Sequence, residues 1–150
     1  MDEVDLKILR LLQEIPGISA ARLAQKVGLS HTPCWRRVKQ LEASGAIMER
    51  AVILDPRTMG LDITVFANIR LKAHDEETLL AFEQAAHDRQ EIADCFSMSG
   101  ESDYILRIII SSIDDYERFL KKVLLHLPGV ASVSSHFALK CVKKTTRLPI

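Results

Sequence analysis

Between Thr32 and Ala43 the residues Thr32, Arg36, Lys39, Gln40 and Ala43 recur at spacings that, at about 100° per residue, place them on one side of a helix. Cys34, Val38, Leu41 and Gly45 fall on the opposite side and must pack inward. His31 and Arg37 flank the polar side, and Ser30 stands at the start as a cap. This is chemistry for reading nucleic acid. Arg and Lys bond guanine edges or phosphates, Gln can read adenine, and the small Ala43 permits close approach. The candidate DNA-contacting set is Ser30, His31, Thr32, Arg36, Arg37, Lys39 and Gln40. A solvated amphipathic helix would show the same face, so this pattern alone leaves both readings open.

Other reactive side chains point to blander roles. His31, His74, His87, His126 and His136 show no metal-binding spacing, and no metal site is expected. Cys34 lies on the inward side of the helix, while Cys95 and Cys141 alternate with apolar residues, so all three read as small buried hydrophobes. Trp35 reads as a packing residue against the first helix rather than a contact to the DNA backbone. Lys140, Lys143, Lys144 and Arg147 form a basic end that reads as a solvated tail or a second DNA contact. No Gly-rich phosphate loop, acid/base pair or nucleophile motif is present, which argues against an enzyme. An enzyme or a small-molecule-binding regulatory subunit remains the alternative, because catalytic sets are often dispersed in sequence.

The 150 residues carry twenty basic and twenty acidic side chains, which excludes a uniformly basic chromatin-type protein. The charge is unevenly spread. From Arg22 to Arg50 six basic residues stand against Glu42 and Glu49 alone. No signal peptide or membrane-length apolar run is apparent, so a cytoplasmic protein with no membrane partner and no cofactor is expected.

The elements that position these residues follow from periodicity. Residues 3–13 predict a first helix, broken at Pro16-Gly17. Ser19 caps a second helix ended by Gly28, and Ser30 caps a third with Pro33 in its first turn, where no intrahelical bond is lost. Two helices joined by a short turn behind a supporting helix form a helix-turn-helix, whose second helix fits the major groove. Ala51–Leu54 then reads as a strand, followed by turn residues around Pro56 and Gly60. Beyond it come a strand at 63–71, a helix at 75–87, strands at 92–99 and 104–110, a helix capped by Ser112 and a long strand at 130–142. That order is the ferredoxin-like βαββαβ arrangement. Tyr104–Ile110 is apolar at almost every position and predicts burial on both faces. Two helices cover only one face, so a second copy of the chain is expected on the other.

Ser30-His-Thr-Pro-Cys-Trp-Arg-Arg-Val-Lys-Gln-Leu-Glu42, with Gly45 and Ile47, resembles the recognition segment of the Lrp/AsnC (feast/famine) transcription regulators. So do Asp5-Leu-Lys-Ile-Leu9, Leu54-Asp-Pro56, Ser99-Gly-Glu-Ser-Asp-Tyr104 and Thr145-Thr-Arg-Leu-Pro149, in the same order along nearly the whole chain. Leu6 departs from the family, whose members often carry a basic residue there. The resemblance implies an α+β protein: a winged helix-turn-helix domain at 1–50, a strand and hinge at 51–62, and a ferredoxin-like (RAM/ACT-like) ligand-sensing domain at 63–150. It implies a double-stranded DNA operator, homodimers commonly assembled into octamers, and an amino acid as effector. The effector is implied to sit between dimers against Met98, Ser99, Gly100, Glu101, Asp103 and Tyr104, with Ser134, Ser135 and His136 lining it from the adjoining dimer. The backbone amides near Gly100 would then approach a carboxylate while Asp103 receives an ammonium group. Without the resemblance the same stretch reads as a plain hairpin turn.

Overall fold

Asp2 starts the first helix. Its carboxylate accepts the Asp5 N–H while the Asp5 carboxylate accepts the Asp2 N–H, a reciprocal cap that opens α1 (Glu3–Glu14). Ser19 caps α2 (Ala20–Val27), and Gly28 closes it with φ +81, a left-handed conformation that favours glycine. α3 (His31–Ala43) follows after the three residues Gly28, Leu29 and Ser30. Ile8, Leu9, Leu23, Ala24, Val27, Cys34, Val38 and Leu41 form their shared core. The computed structural model describes all residues 1–150 and divides into two units, 1–53 with 143–150, and 54–142. No helix is long and apolar enough to cross a membrane.

The second unit begins with a 3-10 turn at Arg57–Met59 and then runs β1 (Ile63–Leu71), α4 (Glu76–His87), β2 (Ile92–Ser97), β3 (Tyr104–Ile110), α5 (Ile113–Lys122) and β4 (Val130–Phe137). The four strands form one antiparallel sheet in the order β2-β3-β1-β4. Val65, Ala67 and Ile69 of β1 and Leu106 and Ile108 of β3 point to the helix side, where they bury Phe82 of α4 and Phe119 of α5. The Phe82 and Tyr104 rings lie 4.6 Å apart by centroid.

Several expectations give way here. Ala51–Leu54 forms no strand: no other segment takes its backbone hydrogen bonds, and Val52, Ile53 and Leu54 are exposed. β4 stops at Phe137 rather than Val142, its last ladder-like bond being Ala138 N–H to the Thr64 carbonyl. β3 alternates buried and half-buried residues instead of being buried throughout. Its outward positions are Ile105, Arg107 and Ile109, and Arg107 is ion-paired with Asp94 of β2. Cys95, on the edge strand, and Cys141, beyond β4, are exposed, whereas Cys34 is buried. Arg147, Leu148 and Ile150, near the end of the chain, hydrogen-bond to Arg10, Gln13 and Glu14 of α1.

Gly129 makes the tightest approach of the second unit. Its φ is +71, and a β-carbon there would stand 2.4 Å from Thr78 Cγ2 on α4. Gly17 has a similar φ of +74 but open space around it. Gly129→Ala should therefore lose about 2–4 kcal/mol of stability in urea unfolding, from backbone strain and overpacking together. Gly17→Ala should lose only the backbone part, about 1 kcal/mol. Equal losses at the two positions would show that the contact with Thr78 is not restrictive.

Candidate functional site

α3 presents His31, Thr32, Trp35, Arg36, Lys39, Gln40 and Ala43 to solvent, opposite the buried Cys34, Val38 and Leu41. Pro33 in the first turn leaves the helix ladder intact. Ser30 occupies the cap position with extended backbone, but its side chain makes no capping hydrogen bond. This differs from Ser19, Asp75 and Ser112, whose side chains all accept a first-turn N–H. The amino end of α3 thus keeps its N–H groups and the Ser30 hydroxyl unspent, an arrangement suited to an anionic oxygen.

The cations on α3 are not equivalent. Arg36 and Gln40 are exposed and have no intramolecular partner. Arg37 is engaged: one guanidinium nitrogen meets Asp2 Oδ2 at 2.7 Å and Asp5 Oδ1 at 2.8 Å. It therefore ties α3 to the capping box of α1, which leaves it less free than Arg36 to reach DNA. The Asp5 N–H, followed by the Arg37 guanidinium, holds the Asp2 carboxyl below its usual range. Lys39 lies 2.7 Å from Glu42 Oε2 and 5.9 Å from the centre of the Trp35 ring. An exposed pair of this kind contributes little, so Lys39 can redirect to a phosphate. Trp35 does not pack against α1 as the sequence suggested: it is 52% exposed, since it projects about a quarter-turn away from the buried face.

In the second unit the 98–103 loop closes the β2–β3 hairpin. Gly100 has φ +116, a conformation closed to side chains with a β-carbon. The Met98 N–H donates to the Asp103 carbonyl, and the Asp103 N–H donates to the Ile69 carbonyl at 2.8 Å. The Asp103 carboxylate accepts the Leu71 N–H at 2.7 Å and lies 2.8 Å from His74 Nε2. The Arg70 guanidinium donates to the Glu101 carbonyl at 2.7 Å. Asp103 thus braces the loop against the end of β1, and the Leu71 N–H, with His74 a lesser contributor, lowers its carboxyl pKa. His74 and Arg70 had no local motif by which sequence could single them out.

The remaining candidates divide. Tyr104 is 3% exposed, with its hydroxyl donating to Glu83 Oε1 at 2.6 Å, so it is a core residue and not a surface for an effector. Burial, reinforced by Glu83, pushes its phenol far up. Met98, Ser99 and Glu101 are exposed. On β4, Ser134 and His136 pair with Asn68 and Phe66 on the open face of the sheet. Ser135 pairs with Ala67 on the helix side, where it meets the Tyr116 hydroxyl. The serine–serine–histidine run is split because successive strand residues face opposite ways. No group of three His, Cys, Asp or Glu residues is placed to hold a metal ion.

Residues 64–148 match the model of the Lrp/AsnC ligand binding domain, and residues 1–48 match a winged helix-turn-helix DNA-binding model. The chain is 36% identical over 150 residues to the DNA-binding transcriptional activator DecR of Escherichia coli, covering 100% of this chain and 99% of that protein. It is 38% identical to the glutamate uptake regulatory protein of Zymomonas mobilis, covering 100% and 91% of the two chains. Among solved structures it resembles a Neisseria meningitidis transcriptional regulator in complex with L-Met, with TM-score 0.93, 33% identity, and 99% and 96% of the two chains covered.

The position of Arg37 between two aspartates makes a direct prediction. Arg37→Ala should lower the thermal midpoint of the first unit by about 2–5 °C. Binding measured against a set of point-mutated operators should show an unchanged base preference. A lost preference at one base pair would place Arg37 in the DNA-reading set.

Proposed function

Because this chain belongs to the Lrp/AsnC family of DNA-binding transcription regulators, we propose that α3 reads double-stranded DNA through Ser30, His31, Thr32, Arg36, Lys39 and Gln40, and that the second unit senses an amino acid. Family membership makes the chain a regulator of transcription and sets aside the enzyme reading. The contrast between neighbouring arginines carries the DNA proposal: Arg37 is spent on Asp2 and Asp5, while Arg36, Gln40 and the uncapped start of α3 stay free. A side chain free of internal partners can make a bidentate bond to a base without losing an existing one.

The sensing proposal draws on the relative solved with L-Met and on relatives named for glutamate uptake and for proline dehydrogenase activation. Genes of amino-acid metabolism or transport are the corresponding targets. In this chain, the exposed backbone around Gly100 offers N–H donors to a carboxylate. The Asp103 carboxylate keeps lone pairs beyond its two contacts and can accept an ammonium group. The open sheet face supports pairing with a second copy, since Phe66 and Phe96 are 38% and 59% exposed beside the half-buried Ile105 and Ile109. A dimer supplies two copies of α3 for a two-fold operator. Dimers gathered into an octamer would place the 98–103 loop of one pair against the next.

Arg36→Ala should cost about 1–3 kcal/mol of specific binding and relax the preference at one base pair, read by gel shift on the chain's own upstream DNA. Unchanged affinity and preference would remove Arg36 from the interface. For sensing, Asp103→Asn keeps the shape and an acceptor for the Leu71 N–H but removes the charge. The variant should stay folded and bind DNA, yet show no thermal shift with any of the twenty amino acids that stabilise the parent. A shift equal to the parent's would show that Asp103 serves the loop alone.

A further inference from the structure

The last eight residues behave as part of the DNA-binding unit rather than as a solvated tail. The Leu148 N–H donates to Gln13 Oε1 at 2.6 Å, and its carbonyl accepts from Gln13 Nε2 at 3.4 Å, so one side-chain amide grips both main-chain groups of one residue. Arg10 Nε donates to the main-chain oxygen of Ile150 at 3.0 Å. The Arg147 guanidinium donates to the Glu14 carbonyl at 3.5 Å. Glu14 ends α1, whose last turn has no basic residue of its own, so Arg147 supplies a cation to carbonyls that the helix leaves unpaired.

Two features define the contact. It is made mostly to the main chain of the segment, while the Leu148 side chain is 67% exposed. Its bonds are also exposed to water, which competes for each of them, so the contact is one that forms and releases easily. The chain leaves the first unit after Ile53 and returns to it at Lys143, through stretches 46–56 and 138–142 that form neither helix nor strand. The chain therefore crosses between the units twice, after Ile53 and after Val142, and the segment that follows the second crossing is held on α1 by this contact.

We infer that residues 143–150 form a releasable intrachain latch on the Arg10–Gln13–Glu14 face of α1, which limits the freedom of the DNA-binding unit. Its effect on DNA rests on the reading that two copies bind one operator. A freer pair of recognition units has a lower effective concentration at the second half-site once the first is bound. Release of the latch then weakens binding to a two-half-site operator and leaves binding to a single half-site unchanged.

The latch itself is tested without DNA, by amide hydrogen exchange at Leu148. The expected result is protection of at least about tenfold in the full chain. Protection should fall to the unstructured rate in Gln13→Leu and persist in Leu148→Ala, because the side chain carries none of the bonds. An unstructured rate in the full chain overturns the latch. To separate docking within a chain from docking between copies, a spin label at Thr146→Cys, in a Cys95→Ser/Cys141→Ser background, is placed on unlabelled copies mixed with isotope-labelled ones. Broadened α1 signals in the isotope-labelled copies overturn the intrachain form; their absence supports it. Finally, Gln13→Leu should weaken binding to a two-half-site operator by about 3–10-fold with single-half-site affinity intact. Unchanged binding to both overturns the coupling while leaving the exchange result to stand. Loss of single-half-site binding in the parent chain would instead fault the DNA reading.

Discussion

Two helices can cover one face of a four-stranded sheet, and that limit organises the second unit. α4 and α5 bury Val65, Ala67, Ile69, Leu106 and Ile108 and leave the other side of the same strands open. The open side is neither a plain solvent face nor a plain core. Phe66, Phe96, Ile105 and Ile109 are apolar, while Asp94 and Arg107 pair with each other across adjacent strands. The apolar side chains on this face, with Asp94 and Arg107 paired to each other, suit contact with a copy of the chain, because an isologous contact sets each residue against its own symmetric environment. The proposed dimer would thus rest on sheet coverage, in a unit separate from the proposed DNA-reading helix.

The first unit meets a related constraint with charges. α3 must be fixed firmly enough to present its outer face in register with base edges, yet that face cannot be used for the fixing. The inner face supplies Cys34, Val38 and Leu41 to the core. Arg37, on the flank, adds the contact to Asp2 and Asp5 at the start of α1. Those carboxylates already favour a helix amino end, so the same two groups cap α1 and anchor α3. The amino end of α3, by contrast, lacks a capping side-chain bond. One helix start is satisfied internally and the other is left for a partner, and this asymmetry separates scaffold from interface.

Much of this was legible in the sequence, and the boundary of legibility has a physical meaning. Periodicity located five helices, four strands and their inner faces, because burial imposes a period of about 3.6 or 2 on the chain itself. It could not tell Arg36 from Arg37. They are one residue apart with the same chemistry, and only the position of Asp2 and Asp5 in space distinguishes them. Tyr104 was misplaced for a similar reason: it adjoins the loop in sequence but, as the first residue of β3, it points to the helix side. Ala51–Leu54 and the stretch after Phe137 have strand-like composition without strand structure, since a strand exists only where another backbone accepts its hydrogen bonds. The contact of Leu148 with Gln13 was invisible because Gln13 recognises main-chain groups, which every residue carries.

The hairpin loop shows how sensing can be built on a part that does not itself fold or unfold. Asp103 connects three points, the loop carbonyls and amides, the end of β1 through Leu71, and His74. The lowered carboxyl pKa keeps that brace charged at neutral pH. It contributes stability above the ordinary aspartate value, and that stability is lost only as acid protonates the carboxylate through its lower folded value. Arg70 holds the Glu101 carbonyl on the other side, so the backbone around Gly100 is braced from two directions. A preformed site spends little of its binding free energy on ordering the loop. It also has little conformational change to transmit. A ligand bound there shifts an equilibrium only by differing in affinity between two states. With the loop the same in both, the difference would come from what lies across from it, such as the presence or absence of another copy of the chain. An amino-acid site proposed at a loop braced in this way would favour control by assembly over control by loop closure.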